Sequence, residues 1–142
     1  MSLTILHTAY ATAFGGRNGH TQNSDGLVSV DLSVPKAMGG PGKPDTTTPE
    51  DLFAAGYAAC FGSACDFMGK QMKLDASAIT VKAAVSIGKT ETGFGLSVTL
   101  EVAVIGLSQA DAEKVVAAGH ALCPYSNAIK GNVPVEIVVT AA

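Results

Sequence analysis

Residues 46–72 read TTTPEDLFAAGYAACFGSACDFMGKQM. Thr48 suits a helix N-cap, Pro49 the first helical position, and Glu50 and Asp51 the electropositive first turn. Asp51, three residues after Thr48, completes a weak capping box. These signals predict a helix from Pro49 to about Met72. Its residues are apolar nearly all round, so it should be central and covered on most sides. Gly56, Gly62 and the alanines let neighbouring elements approach it closely.

Working outward, residues 35–49 (PKAMGGPGKPDTTTP) form a Gly- and Pro-rich loop. Before it, TILHTAYATAF (4–14) and LVSVDLSV (27–34) alternate like strands, joined by the turn-rich GGRNGHTQNSDG. After the helix, residues 78–89 carry Ile79, Val81, Ala83, Val85 and Ile87 on one face. Residues 95–105 do the same with Leu96, Val98, Leu100, Val102 and Val104. TETGFG between them reads as a hairpin turn. Ser108 caps a second helix from Gln109 to about Leu122, a short helical turn follows Cys123-Pro124, and residues 133–140 form a last strand. The order ββαββαβ predicts an α+β fold, with a largely antiparallel sheet around a buried central helix. A chain of 142 residues suits one domain, 1–142.

The chain is 47% hydrophobic and 15% charged, with net charge −3 and no basic patch. That composition excludes disorder and argues against nucleic acid and acidic membranes as partners. The first residues carry no basic segment ahead of an apolar run, so no signal peptide is read there. The weakly polar run 52–68 falls short of the ~20 residues a membrane span needs. A reducing cytoplasm is the expected compartment, where cysteines are more often catalytic or inert than bridged.

Three cysteines stand at 60, 65 and 123. On one helix, Cys60 and Cys65 are separated by ~7.5 Å of rise and ~140° of rotation. Such a pair neither bridges nor shares a metal. A partner must come from elsewhere, and Cys123 is the candidate. Pro124 places Cys123 at a helix N-cap, where free N–H groups and the helix dipole favour a thiolate. Cys60 lies mid-helix among apolar groups, which opposes ionisation unless a cation is close. A buried free thiol is commonly inert, and that reading stands beside the reactive one. A zinc site from Cys60, Cys123 and His120 lacks any Cys-x-x-Cys, and His120 and Cys123 straddle a helix end, so no metal is expected.

Arg17, the only arginine, sits in GGRNGH, and Glu50 lies in the first turn of the long helix. Each has a plain structural explanation, as a solvated loop residue and a helix-end carboxylate. A second reading links them: guanidinium is permanently charged and forks between two acceptors, so Arg17 held by Glu50 would supply the cation Cys60 needs. Ten residues, ~15 Å of helix, separate Glu50 from Cys60. Chain folding or a second subunit would have to close that distance.

Four segments, GGRNGH (15–20), DGLVSVDLSVPKAMGG (25–40), TTTPEDLFAAGYAACFGSA (46–64) and CPYSNA (123–128), together resemble the organic hydroperoxide resistance proteins of the OsmC-like superfamily. The resemblance implies an intertwined homodimer with two sites at the subunit interface. It also implies a cofactor-free, thiol-dependent peroxidase for organic hydroperoxides. In that reading Cys60 attacks the peroxide and Cys123 resolves it as a Cys60–Cys123 disulfide. Arg17 and Glu50 activate Cys60, and a dihydrolipoyl group restores the thiols. No role for Cys65 is implied. Phe53, Tyr57, Phe61 and Phe67 are candidates for apolar walls around an alkyl or lipid hydroperoxide, though helical spacing suits plain core equally. Two other classes compete: a non-catalytic OsmC-like binding module with an inert thiol, and a thiol redox sensor.

Overall fold

A computed structural model describes residues 2–142. Two compact units are present, one running to Pro49 and the other spanning Glu50–Ala142.

The first unit carries a three-stranded antiparallel sheet of β1 (Ala11–Phe14), β2 (His20–Asn23) and β3 (Ser29–Asp31), in that order. The expected first strand is shorter than its alternation suggested, because residues 2–10 take no regular structure. The expected turn-rich connection is partly a strand. Its first half is a 3-10 turn, Gly16–Asn18, and its second half is β2. Polar cross-strand bonds hold β2 where apolar pattern is lacking: His20 Nδ1 meets Asp31 Oδ1 at 2.8 Å and Nε2 meets Ser29 Oγ at 3.1 Å. The turn is tight enough that a Cβ at Gly19 would collide with the Phe14 carbonyl. The Gly- and Pro-rich loop is pinned to the sheet end, with Val34 N–H donating to Asn18 Oδ1 and Lys43 N–H to Ser33 Oγ.

Helix α1 (Pro49–Gln71) starts at the boundary and belongs to the second unit from Glu50 on, followed by β4 (Ile79–Lys89), β5 (Phe94–Val104), α2 (Gln109–Leu122), α3 (Pro124–Ile129) and β6 (Val135–Ala141). Strands β4 and β5 form an antiparallel hairpin over their full length, Ile79 opposite Val104 and Lys89 opposite Phe94. Strand β6 joins β5 in parallel, Val98 beside Val135, so the second sheet is mixed. A parallel neighbour requires a long crossover, and α2 with α3 supplies it. The Ser108 side chain caps α2 by accepting the Asp111 N–H.

Alternation places Val98, Leu100, Val102 and Val104 on one face of β5, all buried. Tyr57, Phe61, Ala64 and Cys65 of α1 and Ala112, Val115 and Val116 of α2 pack into the same core. Full burial of each large side chain stabilises the fold by ~1.5–3 kcal/mol. Only one stripe of α1 is covered this way, Tyr57, Phe61, Ala64, Cys65 and Gly69. Ala55, Ala59, Ser63 and Phe67 form an exposed stripe on the helix.

Among the described residues, no helix is long and apolar enough to cross a membrane.

Candidate active site

The middle of α1 holds Cys60 half-buried. Cys123 lies between two helices: it closes α2, with its N–H bonded to the Gly119 carbonyl at 2.8 Å, and opens α3, whose first position is Pro124. Its carbonyl accepts the Asn127 N–H at 2.9 Å. The N-cap placement anticipated from Pro124 is therefore present. This junction brings the buried Cys123 thiol to Cys60, with 3.6 Å between the two sulfurs. Both are free thiols.

Burial pushes the Cys60 thiol up, and the adjacent Cys123 sulfur adds to the rise, while the backbone N–H of Tyr125 pulls the other way. Burial is the largest cause, and both the hydrogen bond and the charge interaction with the Cys123 sulfur act in the same upward direction.

Cys65 is different. It is fully buried, and desolvation first, then the nearby Cys123, pushes its thiol up to about 12. Its sulfur fills the contact between α1 and α2, where a Cβ on Gly119 would collide with it. The third cysteine is a packing residue.

Beside Cys60 opens an apolar groove of about 360 Å³, lined by Ser63, Ala64, Phe67, Leu122 and Pro124. Of the aromatic side chains expected as walls, only Phe67 lines it. Tyr57 and Phe61 are core, and Phe53 joins an edge-on aromatic cluster with Tyr57 and Tyr125. Leu122 and Pro124 were not foreseen as walls.

A buried polar chain adjoins the sulfurs. Tyr57 Oη meets Ser126 Oγ at 2.6 Å, and Ser126 Oγ meets His120 Nδ1 at 2.8 Å. Sequence reasoning named Tyr57 only as an apolar wall and His120 only as a rejected zinc ligand, and passed over Ser126, although each stands three positions from Cys60 or Cys123 and so one helical turn away.

Glu50, half-buried, is the second residue of α1, ~15 Å of helix from Cys60. Arg17, also half-buried, belongs to the other compact unit, on the 3-10 turn Gly16–Asn18. Gly15 (φ 78°) and Gly16 (φ 60°) give that turn its left-handed entry. The structure thus joins the two cysteines. It puts Glu50 along the same helix and Arg17 on a turn of the first unit.

Two thiols in contact beside an apolar groove, at the junction of three helices, define a dithiol protein of mixed α+β architecture. The model of the OsmC-like protein family matches residues 40–138, and the chain belongs to that family. Within it, the likeness is to the organic hydroperoxide resistance proteins. The one from Xanthomonas axonopodis pv. citri is 43% identical over 136 residues, 95% of each chain. The crystal structure of an organic hydroperoxide resistance protein from Legionella pneumophila shares 46% identity and a TM-score of 0.90, covering 96% of this chain and 99% of that one. A second, from Elizabethkingia anophelis, shares 41% identity with a TM-score of 0.92, covering 99% of this chain and 100% of the other.

Proposed function

We propose that this chain confers resistance to organic hydroperoxides by reducing them to alcohols with Cys60. The observation that carries the reading is the 3.6 Å contact between a groove-lining thiol, Cys60, and a buried one, Cys123. The names borne by close relatives point to the same substrate class.

The Cys60 thiolate attacks the terminal oxygen of ROOH. The O–O bond breaks, ROH leaves after taking a proton, and Cys60 becomes a sulfenic acid. The Cys123 sulfur then attacks the Cys60 sulfur, water leaves, and a Cys60–Cys123 disulfide forms. A dithiol, for which we propose a lipoyl group, restores both thiols by exchange and is itself oxidised to the cyclic disulfide. No cofactor takes part. The apolar groove at Phe67 and Leu122 suits an alkyl chain better than hydrogen peroxide.

Burial raises the Cys60 thiol, so the reaction needs a cation there. We assign that part to Arg17, with Glu50 orienting its guanidinium fork. Both reach the thiol in an intertwined homodimer. Support for the dimer comes from the apolar side chains one copy leaves uncovered, among them Leu6 (94% exposed), Phe14 (84%) and Phe67 (51%). Cytoplasmic residence fits a cycle that ends in free thiols.

The test is steady-state reduction of cumene hydroperoxide with a dihydrolipoyl dithiol. Wild type turns over and Cys60→Ser does not. Turnover by Cys60→Ser, or a wild type that binds the peroxide without consuming dithiol, contradicts the proposal.

A further inference from the structure

We propose that the chain Tyr57–Ser126–His120 sets the approach of Cys123 to Cys60, making these three positioning residues for resolution of the oxidised thiol. This rests on the peroxidase reading above.

Tyr57 is on α1, one turn before Cys60. Ser126 is on α3, one turn after Cys123, and His120 is on the last turn of α2, one turn before Cys123. The Ser126 hydroxyl, 3% exposed, is the common node at 2.6 Å from Tyr57 Oη and 2.8 Å from His120 Nδ1. Either of two proton relays satisfies both contacts: Tyr57 O–H to Ser126 Oγ and Ser126 O–H to His120 Nδ1, or His120 Nδ1–H to Ser126 Oγ and Ser126 O–H to Tyr57 Oη. Among the described residues no buried side-chain polar atom lacks a partner, so the node is complete. A completed buried network tolerates little displacement, since any shift leaves a dry polar group unpaired.

The junction it spans needs such a tie. Cys123 is at once the last residue of α2 and the cap of α3, with φ −58° and ψ 123°. Its own side chain caps nothing. Nothing in the Cys123 side chain therefore fixes how α3 leaves α2, and that angle decides where the Cys123 sulfur points. The Ser126 node binds both helices to α1 within one turn of each sulfur. It acts on the Cys60–Cys123 pair through geometry and touches neither peroxide nor reductant.

The experiment uses full-length wild type, Ser126→Ala, Tyr57→Phe and Ser126→Thr. Each is oxidised with one equivalent of cumene hydroperoxide and quenched over time with dimedone. Mass spectrometry then counts Cys60 sulfenate adducts against Cys60–Cys123 disulfide. For Ser126→Ala and Tyr57→Phe we expect disulfide formation to slow at least tenfold relative to sulfenate formation. The equilibrium with dihydrolipoate should also shift tenfold toward the dithiol form, a rise of about 30 mV. Ser126→Thr, which keeps the hydroxyl, should recover most of the loss. A general loss of stability would not redistribute the two products. If Ser126→Ala fails to fold, Tyr57→Phe carries the same expectation, because it removes only an oxygen. Wild-type partition and potential in a folded Tyr57→Phe or Ser126→Ala overturn the inference while leaving the peroxidase reading intact. A wild type that forms neither sulfenate nor disulfide overturns both.

Discussion

Replacing Gly119 by alanine tests the α1–α2 contact that carries Cys123 to its partner. A Cβ at Gly119 would stand 3.0 Å from both Cα and N of Cys65 and would overlap the Cys65 sulfur. The sulfur can rotate away, but the backbone atoms of α1 cannot. Alanine in place of glycine inside a helix is intrinsically favourable by ~1 kcal/mol. Overpacking a tight core contact costs ~1–3 kcal/mol, and a collision with backbone belongs near the top of that range. The net expectation is destabilisation of ~1–2 kcal/mol. For a chain of this size each kcal/mol moves Tm by ~2–4 °C, so Gly119→Ala should melt ~2–8 °C below wild type. Removing the sulfur as well, with Cys65→Ala, should return part of the loss and leave the backbone share. Circular dichroism melts at matched protein concentration read the result, since association also moves Tm. The Gly119 carbonyl accepts the Cys123 N–H, so the same variant should form the Cys60–Cys123 disulfide more slowly. A Gly119→Ala protein as stable as wild type, or more so, would refute the claim that the helices meet here without room for a methyl group.

Cys65→Ala should retain peroxidase turnover; loss in a folded variant would show that the third thiol does more than pack. The folded state keeps Cys65 protonated up to about pH 12, whereas the unfolded chain ionises it near 9. Stability from this group is therefore full below pH 9 and is lost as pH rises from there toward 12. Denaturant melts of wild type should fall more steeply with pH across that window than those of Cys65→Ala, and parallel curves would contradict the shift. Cys123→Ser should reduce one equivalent of peroxide to leave a Cys60 sulfenic acid, which a second equivalent takes to sulfinic acid or an added thiol traps as a mixed disulfide, read by intact mass. Arg17→Lys keeps the charge but loses the fork, so kcat/KM should drop at least tenfold; an unchanged rate would remove Arg17 from the mechanism.

Much of the second unit was legible because its signals are local. Pro49 with Glu50 and Asp51 marks the start of α1, and alternation over residues 78–89 and 95–105 marks the hairpin, whose strands run Ile79–Lys89 and Phe94–Val104. The first unit was harder to read. Strand β2 is held by His20 bonding to Asp31 and Ser29, and no apolar period announces a polar strand of four residues. The parallel placement of β6 was equally hidden, since hydrophobic pattern fixes a strand's faces but not its neighbour or direction. At the site, Pro124 revealed the helix cap at Cys123, a one-residue signal. The meeting of Cys60 with Cys123 across 63 positions is tertiary: helix spacing ruled out Cys65 and left Cys123 as a candidate, and the resemblance to known sequences implied the pair. The Ser126 node escaped notice because three residues on three helices share no local pattern, and nothing in the sequence shows that the fold buries the Ser126 hydroxyl between Tyr57 and His120.

Treating the reduced protein with one equivalent of cumene hydroperoxide, then mapping its peptides without a reductant, tests the dithiol chemistry most directly. The expected product is a single cross-link between the peptides bearing Cys60 and Cys123, with Cys65 recovered as a free thiol. A cross-link through Cys65, or three intact thiols after the peroxide has been consumed, would contradict it.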